Sequence, residues 1–377
     1  MSTGHAVIVG AGIGGLAAAV ALHRIGWSAT VLERAGELGE IGAGMSQAPN
    51  ALAALDELGV GERAREAAVP SRATGNLRTP DGRFLQRARA ADTPALLAFH
   101  RADLHRVLLD AVPPGWVRTG AEVTGVRADG TVTFTGGELR ADLVVAADGI
   151  GSATRRVLWP DAPAPRFLGR TAWLGVAPVA DQPGSVTLGL GGYFLIHPLS
   201  RGRAYWAYVT TCDDPGIRFE DEHAEVARRV REWHDPIPAL IAATPPHAVI
   251  HIDIRELPPL HSFVVGRVAL LGDAAHAMSP DRGQGAGQSL EDAVVLAAAL
   301  AQEPTVESAL RRYDTERRPR SQAIARSAAV DGRVNTTRRF HRPLTAMIRL
   351  TPAGLWSRSI APDANDAWRW RPPRLMR

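Results

Sequence analysis

The chain has 377 residues, a net charge of +4 and an apolar content of 45%, which is ordinary for a globular protein of two structural domains. No apolar run is long enough to cross a bilayer, and Cys212, the only cysteine, excludes an internal disulfide or a cysteine-rich metal site. All 43 basic residues are arginine, which excludes Schiff-base and P-loop lysine chemistry. No secretory signal precedes the first strand-like run, so we expect a cytoplasmic location.

The first elements predict a nucleotide-binding β-α-β unit. Residues 5–10 form an apolar strand pattern, and a glycine turn and an alanine-rich helix at 13–25 follow. A second strand ends at Glu33, as in the opening of a doubly wound α/β sheet. A glycine-rich loop at 36–48 then leads into a short helix with Pro49 in its first turn.

The middle of the chain changes character. A helix is predicted at 101–111, a hairpin at 116–135 and a buried strand that ends at Asp148-Gly149. Alternating aromatic runs between Pro- and Gly-rich turns at 165–262 indicate a mixed or antiparallel sheet, which we interpret as a substrate domain.

The last third returns to buried strand and helix patterns. A strand at 267–271 precedes a helix that runs to about 301, and Pro319 should kink or divide a second helical stretch at 305–330. Residues 331–377 hold ten Arg against three Asp. Such a basic tail is compatible with nucleic acid or an anionic membrane, but its prolines and tryptophans favour a tail that packs on the body, and we expect no nucleic-acid partner.

The turn after the first strand has the G-x-G-x-x-G spacing of a dinucleotide-binding loop. Gly10 permits the tight turn, Gly12 lets the backbone approach a pyrophosphate, and Gly15 lets helix and strand pack closely. Phosphate then lies at the positive helix N-terminus. Glu33, 21 residues after Gly12, is placed to accept both ribose hydroxyls. This motif alone does not choose between NAD and FAD.

Two further motifs place carboxylates at strand ends. The segment 272–293 (GDAAHAMSPDRGQGAGQSLEDA) carries Asp273 after a strand and a glycine turn that opens a helix. An aspartate there can hold ribityl hydroxyls, and the amides at the helix start can stabilise negative charge on a reduced flavin. Asp148-Gly149 is the third motif, and an ordinary turn and helix cap is its alternative interpretation.

Together with the segment FHRADLHRVL, these motifs resemble the group A flavoprotein monooxygenases, the family of p-hydroxybenzoate and salicylate hydroxylases, from residue 5 to about 320. The resemblance implies that FAD is the cofactor, with Arg101 in contact with it, Asp273 on the ribityl chain and the 283–287 turn beside the isoalloxazine. It places the cofactor-binding residues at Gly10, Gly12, Ile13, Gly14, Gly15, Glu33, Arg34, Gly44, Arg101, Val123, Asp148, Gly149, Asp273, Pro280, Gly283, Gln284, Gly285, Ala286 and Gly287.

The implied domain order is interleaved. Residues 1–164 are the first part of the FAD-binding domain with small substrate-domain insertions, 165–262 the mainly β substrate domain, 263–330 the second FAD-binding part with helices, and 331–377 the packed basic tail. NADH or NADPH should bind transiently as co-substrate. A monomer or homodimer is expected, and no metal-ligand spacing is present.

The implied activity is hydroxylation of a small aromatic or heteroaromatic substrate with O2 through a flavin C4a-hydroperoxide. The alternatives are an oxidase or dehydrogenase without oxygen insertion, a purine (urate-type) hydroxylase, and an FAD-bearing regulatory protein. Asp281 is a candidate base, with Arg203 facing an anionic substrate across the pocket, a pairing similar to FAD-dependent urate hydroxylases. A solvated Asp281 and a surface Arg203 are the simpler interpretation, and His276 is expected to be structural.

Overall fold

The computed structural model describes residues 4–39, 43–87, 96–359 and 366–375. Its strands, in chain order, are β1 (His5–Val9), β2 (Ser28–Leu32), β3 (Gly44–Gln47), β4 (Val69–Ser71), β5 (Leu77–Arg78), β6 (Phe84–Gln86), β7 (Leu96–His100), β8 (Val117–Arg118), β9 (Val123–Val126), β10 (Thr131–Phe134), β11 (Gly137–Arg140), β12 (Leu143–Ala146), β13 (Arg166–Ala177), β14 (Ser185–Gly189), β15 (Gly192–Leu199), β16 (Arg203–Thr211), β17 (Ile250–Glu256), β18 (Val264–Val265) and β19 (Val268–Leu270).

The α-helices are α1 (Ile13–Arg24), α2 (Pro49–Glu57), α3 (Gly61–Glu66), α4 (Arg101–Leu109), α5 (Ala153–Leu158), α6 (Glu222–Val230), α7 (Ile237–Ala243), α8 (Asp273–His276), α9 (Gly285–Gln302), α10 (Val306–Asn335), α11 (His341–Leu350) and α12 (Ala353–Ser359). Short 3-10 turns lie at Ala73–Gly75, Pro246–Ala248 and Pro280–Arg282. No helix in the described part of the chain is long and apolar enough to cross a membrane.

A six-stranded sheet in the order β18-β19-β12-β1-β2-β8 forms the first layer. Its strands pair in parallel except β18. Their apolar side chains are buried in a core shared with α1, α9 and the strands β9 and β10. The chain moves from β1 to β2 on one side and returns to β12 on the other. The carboxyl ends of β1 and β12 therefore form the switch point at which doubly wound sheets bind ligands. The prediction of a doubly wound α/β fold is confirmed.

Helices α1 and α9 pack on each other in the largest apolar core. The small side chains of α1, mostly alanine, allow this close approach, and nine of its twelve residues are buried. Because the same core includes β1, β12 and β19, the N-terminal ends of both helices are held at the switch point.

A seven-stranded sheet in the order β17-β13-β16-β15-β14-β5-β6 forms the second layer. Successive side chains along each strand point to opposite faces of this sheet. Phe194, Trp173 and Trp206 pack under α6 and α7 on one face. Tyr193 and Tyr205 belong to the alternate residues and lie on the opposite face, in other apolar clusters.

The predicted hairpin at 116–135 is only partly correct. Its first strand, β8, pairs in parallel with β2 and extends the main sheet. The antiparallel partners are instead β9, β10 and β11, which form a separate three-stranded sheet. The sequence pattern of a short strand does not reveal which neighbour it will pair with, and here the edge of the large sheet was available. A further small sheet has the order β3-β7-β4.

Pro319 is expected to kink or divide its helix, and the division is wrong, since α10 runs unbroken through it. Proline removes one backbone donor, but the residues on both sides are fixed by other contacts. Arg317 binds Glu291 and Asp292, and Arg320 binds Glu291. Tertiary packing therefore outweighs the local cost of the proline.

The described C-terminal residues contact the body of the protein. The Gln86 side-chain amide donates to the carbonyls of Ile348 and Thr351. The Leu375 amide donates to Glu57, and Trp368 is buried.

Candidate cofactor and substrate site

Gly10 turns the chain at the end of β1, where its φ of 99° strongly favours glycine. A Cβ at this position would lie 2.6 Å from the carbonyl oxygen of Ala147, at the end of β12. A Cβ on Gly15 would collide with the carbonyl oxygen of Gly10. Two glycines of the loop are thus required by the fold itself. Gly12 differs, because its φ of −73° suits any residue.

Carboxylates surround this turn. Glu33 accepts hydrogen bonds from the amides of Ala11 (2.8 Å) and Ala35 (2.9 Å), which leaves each oxygen a second lone pair. One oxygen of Asp148 accepts from the amide of Thr154, as a helix cap would. The other is buried and has no partner among the described residues. Asp148 therefore combines a capping role with an oxygen that is free for a ligand.

The helices α1 and α9 begin next to each other. A Cβ on Gly14 would lie 2.8 Å from Leu271 and 3.3 Å from Ser289, so the first turns of both helices adjoin the end of β19. Neither helix has a side-chain cap or an acidic residue in its first turn. Both therefore present backbone N–H groups and positive helix dipoles to the switch point, a setting that binds anions.

The 272–293 segment lies at the same switch point. We call the Gly10–Gly15 loop, Glu33, Asp148 and this segment together the cradle. Asp273 begins α8 with an exposed carboxylate, 3.9 Å from where a Cβ on Gly285 would lie. Gly283 has a φ of 60° and faces the hydroxyl of Ser46. The remaining predicted residues of this segment are exposed Pro280, buried Gln284, partly buried Ala286 and buried Gly287.

Buried polar atoms without partners give an independent test of the fit to a cofactor. Gln47 Oε1 and Asn50 Oδ1 are buried and have no partner among the described residues. Both side chains lie beside Gly287, whose Cβ would be 3.5 Å from Gln47 Oε1 and 3.7 Å from Asn50 Nδ2. Since buried polar groups are normally hydrogen-bonded, these atoms fit a polar ligand in front of α9.

A buried ionic network fixes α9 against α10. Arg317 donates to Asp292 (2.7 Å) and Glu291 (2.6 Å), and all three side chains are at most 1% exposed. Burial would raise the pKa of Asp292, but the charges of His276 and Arg317 outweigh it and lower the pKa to about 2. His276 lies 2.6 Å from Asp292, and its ring is completely buried. This position supports a structural role for His276.

Asp281 lies in a second buried cluster, where the seven-stranded sheet faces the turn that precedes α9. Its carboxylate accepts from Arg170 (2.7 Å), from Tyr193 (3.1 Å) and from Ser279. The Asp281 side chain is 0% exposed, so the interpretation as a solvated turn residue is wrong. Burial, followed by the Asp281 charge, raises the pKa of Tyr193 well above its ordinary value. Tyr193 therefore stays neutral and donates to the Asp281 carboxylate.

Arg203 is not brought to this cluster. Its guanidinium donates to Asp103 on α4 (3.0 Å) and to the carbonyl of Ser200. The partner of Asp281 is instead Arg170, and sequence reasoning missed both Arg170 and Tyr193. The alternation along β15 could have assigned Tyr193 to the face opposite Phe194. Nothing in the sequence distinguishes Arg170 among the 43 arginines.

The other predicted cofactor residues lie at the edges of the cradle. A Cβ on Gly44 would collide with the Tyr205 ring, so this strand and the second sheet touch. The Arg101 amide, at the start of α4, donates to Ala43. Ile13 is the first residue of α1, and Arg34 is exposed directly after Glu33. Gly149 has a φ of 76°. Val123 begins β9, two residues after Ala121, whose amide donates to the backbone carbonyl of Glu33.

The protein thus has a dinucleotide-binding sheet whose switch point faces a second sheet. This arrangement defines a nucleotide-dependent enzyme. The sequence matches the family model described as FAD binding domain over residues 4–328. It is 38% identical to the aurachin C monooxygenase/isomerase of Stigmatella aurantiaca, covering 84% of this chain and 86% of that protein. It is 34% identical to 3-hydroxybenzoate 6-hydroxylase 1 of Aquipseudomonas alcaligenes, with the same coverage. The crystal structure of Klebsiella pneumoniae HpxO complexed with FAD and uric acid matches with a TM-score of 0.86 at 30% identity, covering 94% and 95% of the two chains.

The chain belongs to this FAD-binding family and is an FAD-dependent monooxygenase. The family, the FAD cofactor and the enzyme class predicted from the motifs are therefore confirmed. Within the described residues, no group of three or more His, Cys, Asp or Glu side chains is arranged to hold a metal ion.

Proposed function

We propose that this monooxygenase uses NADH or NADPH and O2 to hydroxylate a small aromatic or heteroaromatic ring that carries an ionisable OH or NH group. The observation that carries the proposal is the buried Asp281 carboxylate, which accepts a hydrogen bond from Tyr193 in front of the α9 turn. The cytoplasmic location and the monomer or homodimer remain predictions from the sequence.

In this proposal the residues of the cradle hold FAD in three places. The N-terminus of α1 with its glycine loop holds the pyrophosphate, Glu33 the ribose, and Asp273 the ribityl chain. Bound FAD supplies the redox chemistry, taking a hydride from NAD(P)H and activating O2. The amides at the start of α9 stabilise negative charge that develops beside them.

Asp281 and Tyr193 act on the proton of the substrate. Asp281 Oδ2 binds both Arg170 and Ser279, whereas Oδ1 binds only the Tyr193 hydroxyl among the described residues. The second lone pair of Oδ1 is therefore the position that accepts a proton from a ring OH or NH. Removing this proton raises the electron density of the ring and favours attack by an electrophilic oxygen.

The charge of the cluster bears on the choice of substrate. The Arg170 and Asp281 charges cancel, and Arg203 is neutralised by Asp103. These arginines thus offer no free cation to a substrate carboxylate. We therefore favour a ring without a carboxylate, such as a phenol, quinolone or purine, over a hydroxybenzoate. A purine remains a candidate because HpxO, with the same fold, was crystallised with uric acid.

The first experiment is a screen of phenols, hydroxybenzoates, quinolones and purines for substrate-stimulated NAD(P)H oxidation, with 18O2 incorporation into the product as the second readout. Rings without a carboxylate should stimulate oxidation and gain one labelled oxygen. Stimulation without label in the product would indicate no oxygen insertion and would contradict the proposal.

The second experiment compares Asp281→Asn and Tyr193→Phe with the control Asp331→Asn. Both cluster variants should lose product and release peroxide while FAD content is retained, and Tyr193→Phe does so without breaking the Arg170 ion pair. Asp331 pairs with Arg282 at the surface, so its replacement should leave coupling intact. Coupled turnover that is unaffected in both variants from pH 6 to about 9 would exclude Asp281 as the base.

A further inference from the structure

Exposed apolar side chains are concentrated at one end of the protein. We call residues 330–359, which comprise the end of α10, the turn after it, α11 and α12, the C-terminal face. Of the ten large apolar residues exposed in the described chain, six lie on this face: Val330, Val334, Phe340, Met347, Leu350 and Leu355. Leu350 is 80% exposed. Clusters of this kind mark interaction surfaces, whereas single exposed residues do not.

Helix α11 packs on the body along one edge of its apolar stripe, and the adjoining side is free. Ile348 is buried in the cluster under the seven-stranded sheet, and Leu344 packs against that cluster. At about 100° per residue, Phe340, Met347 and Leu350 fall within about 80° of one another on the free side. Phe340 and Met347 border a groove of about 500 Å³ that continues to Val334 at the end of α10.

The same face carries a strong positive charge. Its six arginines are all exposed and have no carboxylate partner within the described ranges: Arg333, Arg338, Arg339, Arg342, Arg349 and Arg358. The one acidic residue of the face, Asp331, pairs with Arg282. Arg342 and Arg349 lie seven residues apart and form a second exposed stripe beside the apolar one. A helix with adjoining apolar and cationic surfaces has the properties of an interfacial membrane anchor.

We propose that the C-terminal face docks on a lipid bilayer with anionic headgroups. The boundary between headgroups and acyl chains takes the apolar side chains, while the arginines reach the lipid phosphates. A second copy of the chain is a poorer occupant, since a two-fold interface would set these arginines against their own copies. A nucleic acid would match the charge but leave Met347 and Leu350 without an apolar environment.

The test is sedimentation of the holoenzyme with vesicles. The protein should bind vesicles of phosphatidylcholine mixed with phosphatidylglycerol, and not vesicles of phosphatidylcholine alone. Each arginine near an anionic surface contributes about fivefold, so Arg342→Gln with Arg349→Gln should weaken binding by about 30-fold. Met347→Glu with Leu350→Glu should abolish it. FAD content, measured on the same samples, reports that each variant is folded.

A control variant removes one exposed apolar residue and one exposed arginine elsewhere. Ile217 is 40% exposed and the Arg231 side chain 71% exposed, and neither belongs to the C-terminal face. Ile217→Gln with Arg231→Gln should leave the vesicle affinity unchanged.

Failure to bind anionic vesicles, or equal affinity in the control and in both face variants, would overturn the proposal. So would a dimer in lipid-free buffer that the Met347 and Leu350 changes dissociate, if vesicle binding is absent. The result does not depend on the substrate proposed above, because it is measured without turnover.

Discussion

Replacing Arg317 by methionine should destabilise the protein strongly, because it removes the cation from a fully buried network. The guanidinium donates to Asp292, to Glu291 and to the side-chain oxygen of Gln288. Methionine fills much of the space but leaves two carboxylates less well compensated. Glu291 keeps Arg320, whereas Asp292 keeps only His276 and the Gly272 amide among the described residues.

Breaking a buried ion pair by removing one partner costs about 3–5 kcal/mol. An unfolding entropy of about 2.1 cal/mol/K per residue gives roughly 0.8 kcal/mol/K for a chain of this length, so the melting temperature should fall by about 5 °C. FAD affinity should fall as well, since the network holds the first turns of α9.

The pH dependence has a definite sign. The pKa of Asp292 is about 2 in the folded protein against an ordinary value of 3.8. Its contribution to stability is therefore present above pH 3.8 and is lost as the pH falls towards 2. Without Arg317 the folded pKa rises, so the difference in stability between Arg317→Met and the wild type should narrow in acid.

The measurement is thermal unfolding followed by circular dichroism and by the fluorescence of released FAD. Arg312→Met is the matched control on the same helix, because Arg312 makes partly exposed ion pairs with Glu316 and Glu303. Such pairs contribute about 0–1 kcal/mol. If both variants melt within a degree or so of the wild type and keep the same FAD affinity, the buried network does not support the cofactor site.

Two further changes test the cradle by FAD titration of the refolded apoprotein. Gly12→Val should abolish FAD binding while the fold is retained, since a φ of −73° suits valine. Gly354→Val is the control, because open space surrounds Gly354. If Gly12→Val retains its FAD affinity, the pyrophosphate lies elsewhere. Asp273→Ala should weaken binding by about 10- to 100-fold, the contribution of a charged hydrogen bond, without a loss of stability, and an unchanged dissociation constant would remove Asp273 from the ribityl chain.

The doubly wound fold could be predicted because its signals are local. A buried strand, the glycine loop and an alanine-rich helix lie within the first 25 residues. The conformation of each element is determined by residues that are close together in the sequence. Gly10 illustrates this, since its positive φ is the property that the motif requires. The path of α10 through Pro319 could not be predicted, because contacts of Arg317 with α9 decide it.

The substrate side of the site shows the same limit more sharply. Asp281 could be singled out because it stands in a motif, next to the turn that opens α9. Its partners come from β13 and β15, and only the packing of the second sheet on the cradle brings Arg170 and Tyr193 to it. Arg203 has the same parity along β16 as Tyr205, but it lies at the start of the strand, where Asp103 of α4 is within reach. A strand pattern fixes which face a side chain is on, whereas its position along that face depends on the register between sheets. The tertiary structure therefore decides that Arg170, and not Arg203, pairs with Asp281. It thereby also decides which charge a substrate meets.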